Sequence, residues 1–210
     1  MMTLYGCPQT RSARAAWALE EAGAEYAYVA VDLPKGGGRS PDFQAVNPGG
    51  KVPALVDDGL TLTESAAICT YIGDRFPESG LTPPPGTAER AKYHQWCFFV
   101  IGELEQPLWT IAKHRFALPA DWRVPQIEPT ALKEFDVALR VFEKGLGDRM
   151  YLLGDGFTAA DILAALTLNW ARKGQVLPDS PRVMRYLERT LSRPALERAR
   201  QREAAAVAAS

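Results

Sequence analysis

Apolar positions in the first third of the chain switch between the period of a strand and that of a helix. Residues 3–6 form a short apolar run typical of a buried strand. Residues 11–23 contain Ala, Leu and Trp at helical spacing before Gly23, a type of residue that often ends helices. Residues 25–33 alternate around Tyr, Val and Ala and predict a second strand. This order indicates a βαβ unit with parallel strands.

The next stretch predicts a hairpin followed by a helix. Two apolar runs, residues 52–56 and 60–63, flank the turn sequence Asp57-Asp58-Gly59. Residues 65–77 then show helical periodicity that closes at a proline. We therefore expect an α/β N-terminal domain with the order βαβ, loop, ββα.

A change of pattern divides the chain in two. Residues 77–87 contain four prolines and two glycines, a composition typical of a linker. Beyond them the pattern is helical, and Pro107 is expected to kink or break the first long helix just before it. Further helices are predicted at about 129–146, 158–172, 180–191 and 194–206. The predicted domains are residues 1–77, a linker at 78–86 and an all-helical domain at 87–210.

One helix start carries a strong local signal. Thr158 is followed three residues later by Asp161, the spacing of a capping box, with Asp in place of the usual Glu. Phe157 and Ile162 match the spacing of a hydrophobic staple. We interpret Asp161 as structural rather than catalytic.

Composition and charge exclude several classes of function. The formal net charge is -1, without the clustered basic face that nucleic-acid binding requires. No run approaches the roughly 18 apolar residues of a membrane span, and no apolar signal segment follows the start. Three widely spaced cysteines without a CxxC motif favour a reducing compartment, the cytoplasm. No Cys, His and acid cluster has the spacing of a metal site.

Two features near the hairpin allow both a structural and a functional interpretation. Pro53 is either an ordinary edge-strand proline or a cis-proline that turns the Val52 backbone outward, where it can pair with an extended peptide. Glu64 and Ser65 stand where a helix begins. Either Thr63 caps that helix, or the pair binds the ammonium and carboxylate of an amino acid.

Three motifs together resemble those of the glutathione transferase family. They are LYGCPQTRSARAAWALEE, GKVPALV followed by TESAAICTYI, and GFTAADI, and the similarity runs from about residue 3 to about residue 200. The resemblance implies a thioredoxin-like N-terminal domain with Pro53 in cis, a helical C-terminal domain, glutathione as cosubstrate and a homodimer.

The resemblance also implies binding roles for individual residues. Val52 would bind the cysteinyl backbone of glutathione, and Glu64 and Ser65 would bind its γ-glutamyl end. Lys51 is either a further contact to a glutathione carboxylate or a solvated charge.

The group that activates the sulfur lies within residues 7–12. A free thiol titrates near pH ~8.5, so its pKa must be lowered before it is a nucleophile at neutral pH. By resemblance Thr10 occupies the place of the serine in serine-type family members. Ser12 is the second candidate, unless it caps the helix. Cys7 would imply a mixed disulfide, although it lies closer to the strand than the cysteine of cysteine-type members.

The expected function is transfer of the glutathione thiolate to a small hydrophobic electrophile. The alternatives are a glutathione-dependent thiol–disulfide reductase or peroxidase, and a non-catalytic interaction module. A peptide-binding site has no use in such a module, so the Val52-Pro53 and Glu64-Ser65 motifs favour an enzyme. The second substrate is expected in an apolar pocket against the 88–117 segment.

Overall fold

The computed structural model of the protein describes residues 1–209, which divide into two compact units. The first comprises Met1–Thr82 together with the segment that begins at Leu191, and the second comprises Pro83–Thr190. The chain thus returns to the first unit at its end, which the residue pattern does not indicate. The predicted extent of the helical domain, 87–210, stays a prediction.

The first unit is built on a four-stranded mixed sheet. Its strand order is β2-β1-β3-β4, with β1 parallel to β2 and β3 antiparallel to both β1 and β4. In chain order the elements are β1 Met2–Gly6, α1 Ser12–Glu21, β2 Tyr26–Ala30, α2 Pro41–Val46, β3 Ala54–Asp57, β4 Leu60–Thr63 and α3 Ser65–Arg75. This order confirms the predicted α/β arrangement, including the cis Val52–Pro53 bond.

Residues with positive φ mark the hairpin turn and the end of the first helix. Asp58 and Gly59 both have positive φ, 46° and 84°, which is the backbone of a two-residue type I′ hairpin turn. Gly23 has φ 62° just past the end of α1, as expected for a left-handed helix terminator. Apolar side chains between sheet and helices form the core, including Leu4, Trp17, Leu55, Ile68 and Ile72.

The second unit is helical. Its elements are α4 Ala88–Phe99, α5 Gln106–Ala112, α6 Glu128–Leu146, α7 Ala159–Lys173 and α8 Pro181–Leu191. A π-helical segment, Val100–Leu104, separates α4 from α5, and Pro107 lies in the first turn of α5. The predicted interruption before this proline is therefore confirmed.

The capping box of α7 forms as predicted. The Thr158 N–H donates to Asp161 Oδ2 at 2.9 Å. The other carboxylate oxygen, Oδ1, accepts from the Leu152 N–H and the Tyr186 hydroxyl, each at 2.9 Å. Asp161 is fully buried and holds the start of α7 against its neighbours, which agrees with a structural role.

The last helix, α9 Pro194–Ala208, completes the first unit by packing on α1 and β2. Glu20 on α1 pairs with both Arg198, at 3.1 Å, and Arg202, at 2.9 Å. Glu21 pairs with Arg193 at 2.6 Å. Within residues 1–209, no helix combines the length and apolar character needed to cross a membrane.

Candidate functional site

Three chain segments leave the sheet of the first unit at the same edge. The register pairs Tyr5 with Ala54, and Ala54 with Thr63. The end of β1, the start of β3 and the end of β4 therefore lie side by side. All the residues predicted to form the site lie on the segments that leave this edge: Thr10, Ser12, Lys51, Val52, Pro53, Glu64 and Ser65.

The Val52 backbone lies just outside the sheet ladder. Pro53 is buried, and β3 begins at the next residue, Ala54. Within residues 1–209, the Val52 N–H and C=O form no hydrogen bond. A backbone donor and acceptor are thus available at the edge of a sheet, the arrangement that binds a peptide by strand addition.

Glu64 has an unusual backbone. Its φ is 65° and its ψ 112°, a region that costs a residue with a side chain about 1–3 kcal/mol. Glu64, not Thr63, occupies the N-cap position of α3, so the interpretation that Thr63 caps this helix is wrong. Thr63 is instead the last residue of β4, because its pairing with Ala54 keeps it in the sheet. Non-glycine residues held in such conformations cluster at functional sites.

Ser65 opens α3 and lies beside a buried positive charge. Arg14 Nη1 donates to Ser65 Oγ at 3.2 Å, and these two side chains are 2% and 5% exposed. The first N–H groups of α3 carry the positive end of the helix dipole. This helix start therefore favours an anion such as a carboxylate, with the exposed Glu64 carboxylate next to it for an ammonium.

A network of two hydroxyls shapes the loop between β1 and α1. Thr10 Oγ1 donates to the Cys7 carbonyl at 2.6 Å and accepts from the Ser12 N–H at 3.2 Å. Ser12 Oγ accepts from the Cys7 N–H at 3.1 Å and lies 2.9 Å from Thr10 Oγ1. Because the Thr10 proton is directed at Cys7, Ser12 is the donor between the two hydroxyls.

The two hydroxyls differ in access. Ser12 is fully buried, whereas Thr10 is half-buried. Ser12 is the first residue of α1 and follows the N-cap residue Arg11, so the interpretation of Ser12 as a cap is wrong. Its oxygen is used inside the loop instead. Thr10 is therefore the more accessible hydroxyl, and Ser12 lies behind it.

The three cysteines are free thiols in different surroundings. Cys7 is half-buried at the start of the loop, next to Thr10. Cys69 and Cys97 are buried, and burial raises the pKa of the Cys97 thiol to about 12. Of the three, Cys7 is the one with access to a ligand at this edge of the sheet.

Lys51 is held through its backbone while its side chain is exposed. Its carbonyl accepts from Asn47 Nδ2 at 2.6 Å, and Asn47 Oδ1 accepts from the Gly49 N–H at 3.0 Å. A cavity of about 510 Å³ adjoins this segment, with walls from Leu33, Pro34, Gly36, Gly38, Arg39, Gln44, Gly49 and Gly50. The ammonium of Lys51 is free to turn toward a ligand that extends along this side.

A buried charge on α1 also shapes the site. Arg14 is a buried positive charge in contact with Ser65, although 51 residues separate the two in the chain. The sequence allows Arg14 to be either a source of positive potential near the sulfur or a solvated charge, and its burial excludes the solvated alternative.

The second unit contains an apolar hollow of its own. It has a volume of about 150 Å³ and walls from Leu108, Ile111, Ala112, Arg115, Phe116, Trp170, Gly174 and Val176. Of the aromatic residues on the 88–117 segment, Tyr93 is fully buried and Phe116 is largely exposed. Among residues 1–209, no group of His, Cys, Asp and Glu side chains is placed to hold a metal ion.

Comparison with known families gives matches to both parts of the chain. Residues 1–74 match the family described as glutathione S-transferase, N-terminal domain. Residues 106–194 match the family described as glutathione S-transferase, C-terminal domain.

Individual relatives match along nearly the whole length. The sequence is 35% identical over 207 residues to the disulfide-bond oxidoreductase YfcG of Escherichia coli, covering 93% of this chain and 92% of that protein. A glutathione transferase structure from Methylococcus capsulatus has a TM-score of 0.83 and 34% identity, covering 97% of this chain and 99% of that one. A sphingomonad glutathione S-transferase complexed with glutathione has a TM-score of 0.82 and 32% identity, covering 96% and 98%.

Proposed function

The chain belongs to the glutathione S-transferase family, and from that premise we propose that it transfers the thiolate of glutathione to a small hydrophobic electrophile. One observation supports the proposal: the backbone of Val52 (unpaired within residues 1–209), the start of α3 at Ser65 and the accessible hydroxyl of Thr10 all lie at one edge of one sheet. Together they match the parts of a tripeptide thiol.

Glutathione is the cosubstrate, and each of its parts has a partner at this edge. The Val52 N–H and C=O pair with the backbone of its cysteine. The α3 start and the Ser65 hydroxyl bind the γ-glutamyl carboxylate, and Glu64 binds the γ-glutamyl ammonium. Lys51 binds the glycyl carboxylate, because the exposed ammonium lies one residue before Val52.

Thr10 activates the sulfur by donating a hydrogen bond to the thiolate. In the structure, Thr10 Oγ1 donates this hydrogen bond to the Cys7 carbonyl oxygen, at 2.6 Å. A hydrogen bond to an ion is about twice as strong as one to a neutral acceptor. The Thr10 hydroxyl therefore donates to a bound thiolate in preference to the Cys7 carbonyl. Ser12 donates to Thr10 Oγ1 from behind, which polarises the Thr10 hydroxyl and strengthens it as a donor. The pKa of the bound thiol falls as a result.

In the transfer step the thiolate attacks an electrophilic carbon. A sulfur–carbon bond forms, and either a leaving group departs with its electron pair or a carbon–carbon double bond accepts the pair and the resulting carbanion takes a proton from water. An apolar wall beside the sulfur would suit such an electrophile.

A redox function is the second candidate, and one comparison favours it. The relative YfcG is named a disulfide-bond oxidoreductase. In that chemistry the thiolate attacks one sulfur of a disulfide, and the other sulfur leaves as a thiolate. A second glutathione then attacks the mixed disulfide, which yields glutathione disulfide and the second thiol. Thr10 would activate glutathione in both reactions, whereas Cys7 would act only if it formed the mixed disulfide itself.

We further propose that the protein is a cytoplasmic homodimer. The three free cysteines suit a reducing compartment. A two-fold dimer is the commonest assembly of homo-oligomers and the one that the family resemblance implies.

A glutathione-affinity column tests the enzyme proposal against a non-catalytic module. We expect the folded protein to be retained and eluted by free glutathione. Glu64→Ala should weaken binding by about tenfold or more, the effect of losing one charge-assisted hydrogen bond. Glu78→Ala, a matched change at an exposed residue just after α3, should bind as the unchanged protein does. Passage of the folded protein through the column unretained would exclude both enzymatic functions.

Assays on the retained protein separate the two chemistries. Conjugation of chlorodinitrobenzene is expected for a transferase, and reduction of hydroxyethyl disulfide for a reductase. Reduction without conjugation would replace the first proposal with the second.

A further inference from the structure

A buried pair of side chains connects the last helix to the sheet of the first unit. The Tyr28 hydroxyl, on β2, donates to Glu203 Oε1, on α9, at 2.9 Å. Glu203 is only 5% exposed and Tyr28 is half-buried. The two residues are 175 positions apart, and neither belongs to the segments that bind the tripeptide.

The Tyr28 hydroxyl reaches the base of the loop between β1 and α1. A Cβ atom added to Gly6 would lie 2.3 Å from Tyr28 Oη and 2.9 Å from Ser12 Cβ. The phenol therefore occupies the space that a side chain at Gly6 would need, and it faces Ser12 across that glycine. Gly6 pairs with Ala30 at the end of β2, and its carbonyl accepts from the N–H of the next residue, Val31, at 2.7 Å, so Gly6 is fixed to the strand that carries Tyr28.

The helix that carries Glu203 is itself held firmly. Two arginines of α9, Arg198 and Arg202, both pair with Glu20 on α1. The Arg202 guanidinium also lies 4.4 Å from the centre of the Tyr26 ring on β2. Glu203 thus approaches Tyr28 from an element whose position is set by several independent contacts.

Charge and burial keep Tyr28 a hydrogen-bond donor. Burial first, and then the neighbouring Glu203, raises the pKa of the Tyr28 phenol, with smaller contributions from Cys7 and Tyr26. Burial also raises the pKa of Glu203, against the lowering effects of the Tyr28 hydrogen bond and of Arg200. The phenol therefore keeps its proton throughout the neutral range and directs it at Glu203.

We propose that Tyr28 and Glu203 are positioning residues for the sulfur-activating hydroxyl, acting on Thr10 through Gly6 and Ser12. This inference rests on the proposed function of Thr10. The phenol braces the residue before Cys7, and Ser12 on the other side of that residue holds both the Cys7 N–H and Thr10 Oγ1. The C-terminal helix thereby sets how well the Thr10 hydroxyl is aimed at the thiolate.

The loop geometry explains why this brace affects chemistry more than binding. Hydrogen bonds weaken steeply when their angle and length depart from the optimum. If the Tyr28 hydroxyl is lost, Ser12 can shift toward the space that this oxygen leaves, and its hydrogen bonds to Cys7 and Thr10 loosen. The Val52 and Glu64 segments approach from other strands and keep their places. We expect kcat to fall and the KM for glutathione to stay nearly constant.

Tyr28→Phe tests the proposal, with Tyr26→Phe as its matched control. Both tyrosines lie on β2, and both hydroxyls donate to a glutamate, but Tyr26 bonds to Glu20 at 3.1 Å, away from the loop. The readouts are kcat, KM and the pKa of bound glutathione, taken from the ultraviolet absorbance of the thiolate against pH. Tyr28→Phe should lower kcat about threefold to tenfold and raise the thiol pKa by about 0.5 to 1. Tyr26→Phe should change neither.

A second pair of variants covers the case in which Tyr28→Phe fails to fold. Glu203→Gln keeps an oxygen that accepts from Tyr28, so its thiol pKa should equal that of the unchanged protein. Glu203→Leu removes the acceptor and should shift the pKa upward, as Tyr28→Phe does. Equal thiol pKa values in all four variants and the unchanged protein would overturn the positioning role.

The same measurements distinguish failure of the positioning role of Tyr28 and Glu203 from failure of the proposed activation by Thr10. If the unchanged protein binds glutathione but leaves its thiol pKa near ~8.5, Thr10 does not activate the sulfur, and the proposed function fails first. If that pKa is lowered and none of the variants moves it, only the role of Tyr28 and Glu203 is lost.

Discussion

Thr10 is the residue on which the proposed chemistry depends. Its hydroxyl accepts two hydrogen bonds from Ser12, one from the N–H and one from the hydroxyl, and donates one to Cys7. A hydroxyl with both lone pairs occupied is held in one orientation and is a stronger donor. Ser12, which is fully buried, contributes by holding Thr10 rather than by reaching a ligand.

Replacing Thr10 tests its role in activation. Thr10→Ala should lower kcat for conjugation by about 10- to 100-fold, because one hydrogen bond to a thiolate contributes about 1.5–3 kcal/mol. Thr10→Ser keeps the hydroxyl and should retain most of the activity. Steady-state kinetics at saturating glutathione would measure both changes.

Cys7→Ala tests the alternative in which the Cys7 thiol, and not the Thr10 hydroxyl, is required for the reaction. It should leave conjugation nearly unchanged, since Cys7 contributes backbone rather than thiol to the network around Thr10. Loss of all activity in Cys7→Ala, with Thr10→Ala still active, would favour the redox chemistry.

Single residues of the site differ in how well the sequence predicts them. Binding roles were predicted for Val52, Glu64 and Ser65 because their motifs together resemble those of a known family, whereas the spacing of each motif alone left a structural interpretation open. The contact of Arg14 with Ser65 and the pairing of Tyr28 with Glu203 could not be predicted in this way. These contacts span 51 and 175 residues, and they exist only after the chain has folded.

At the scale of elements, the sequence predicts those whose turn or capping residues lie within the element itself. The β3–β4 hairpin depends on Asp58 and Gly59, and the start of α7 on Thr158 and Asp161, so each is specified within a few residues. The placement of α9 is different. Its helical period was correctly predicted, but an amphipathic helix can cover any apolar surface of suitable shape. The choice of α1 and β2 depends on ion pairs that form at long range.

The attachment of α9 can be tested at Glu20. This side chain is 9% exposed and pairs with two arginines of α9. Glu20→Ala should lower the free energy of unfolding by about 1–3 kcal/mol, because the Tyr26 hydroxyl and two guanidinium groups lose a partner. Urea unfolding followed by tryptophan fluorescence would report the loss, since Trp17 lies on the same helix as Glu20.

Glu197→Ala is the control for this change. Glu197 lies on α9 and pairs with Arg200 at 3.5 Å, with both side chains at least half exposed. Its loss should cost less than about 1 kcal/mol. Equal destabilisation by the two changes would mean that the buried pairs of Glu20 do not hold α9 in place.

At the scale of the whole molecule, the first unit contains both the predicted glutathione site and the segment from Leu191 onward. The strands bring together the residues proposed to bind glutathione, and α9 contacts β2 and α1 behind the residues proposed to activate it. Chemistry and stability therefore depend on the same unit. The helical segment Pro83–Thr190 forms the second unit and contains an apolar cavity of its own.

A crystal structure of the protein with glutathione bound tests this account most directly. We expect the sulfur within hydrogen-bonding distance of Thr10 Oγ1, the cysteinyl backbone paired with Val52, and the γ-glutamyl end at Glu64 and Ser65. A sulfur bonded covalently to Cys7, or one that lies out of reach of Thr10, would contradict the proposed activation and transfer.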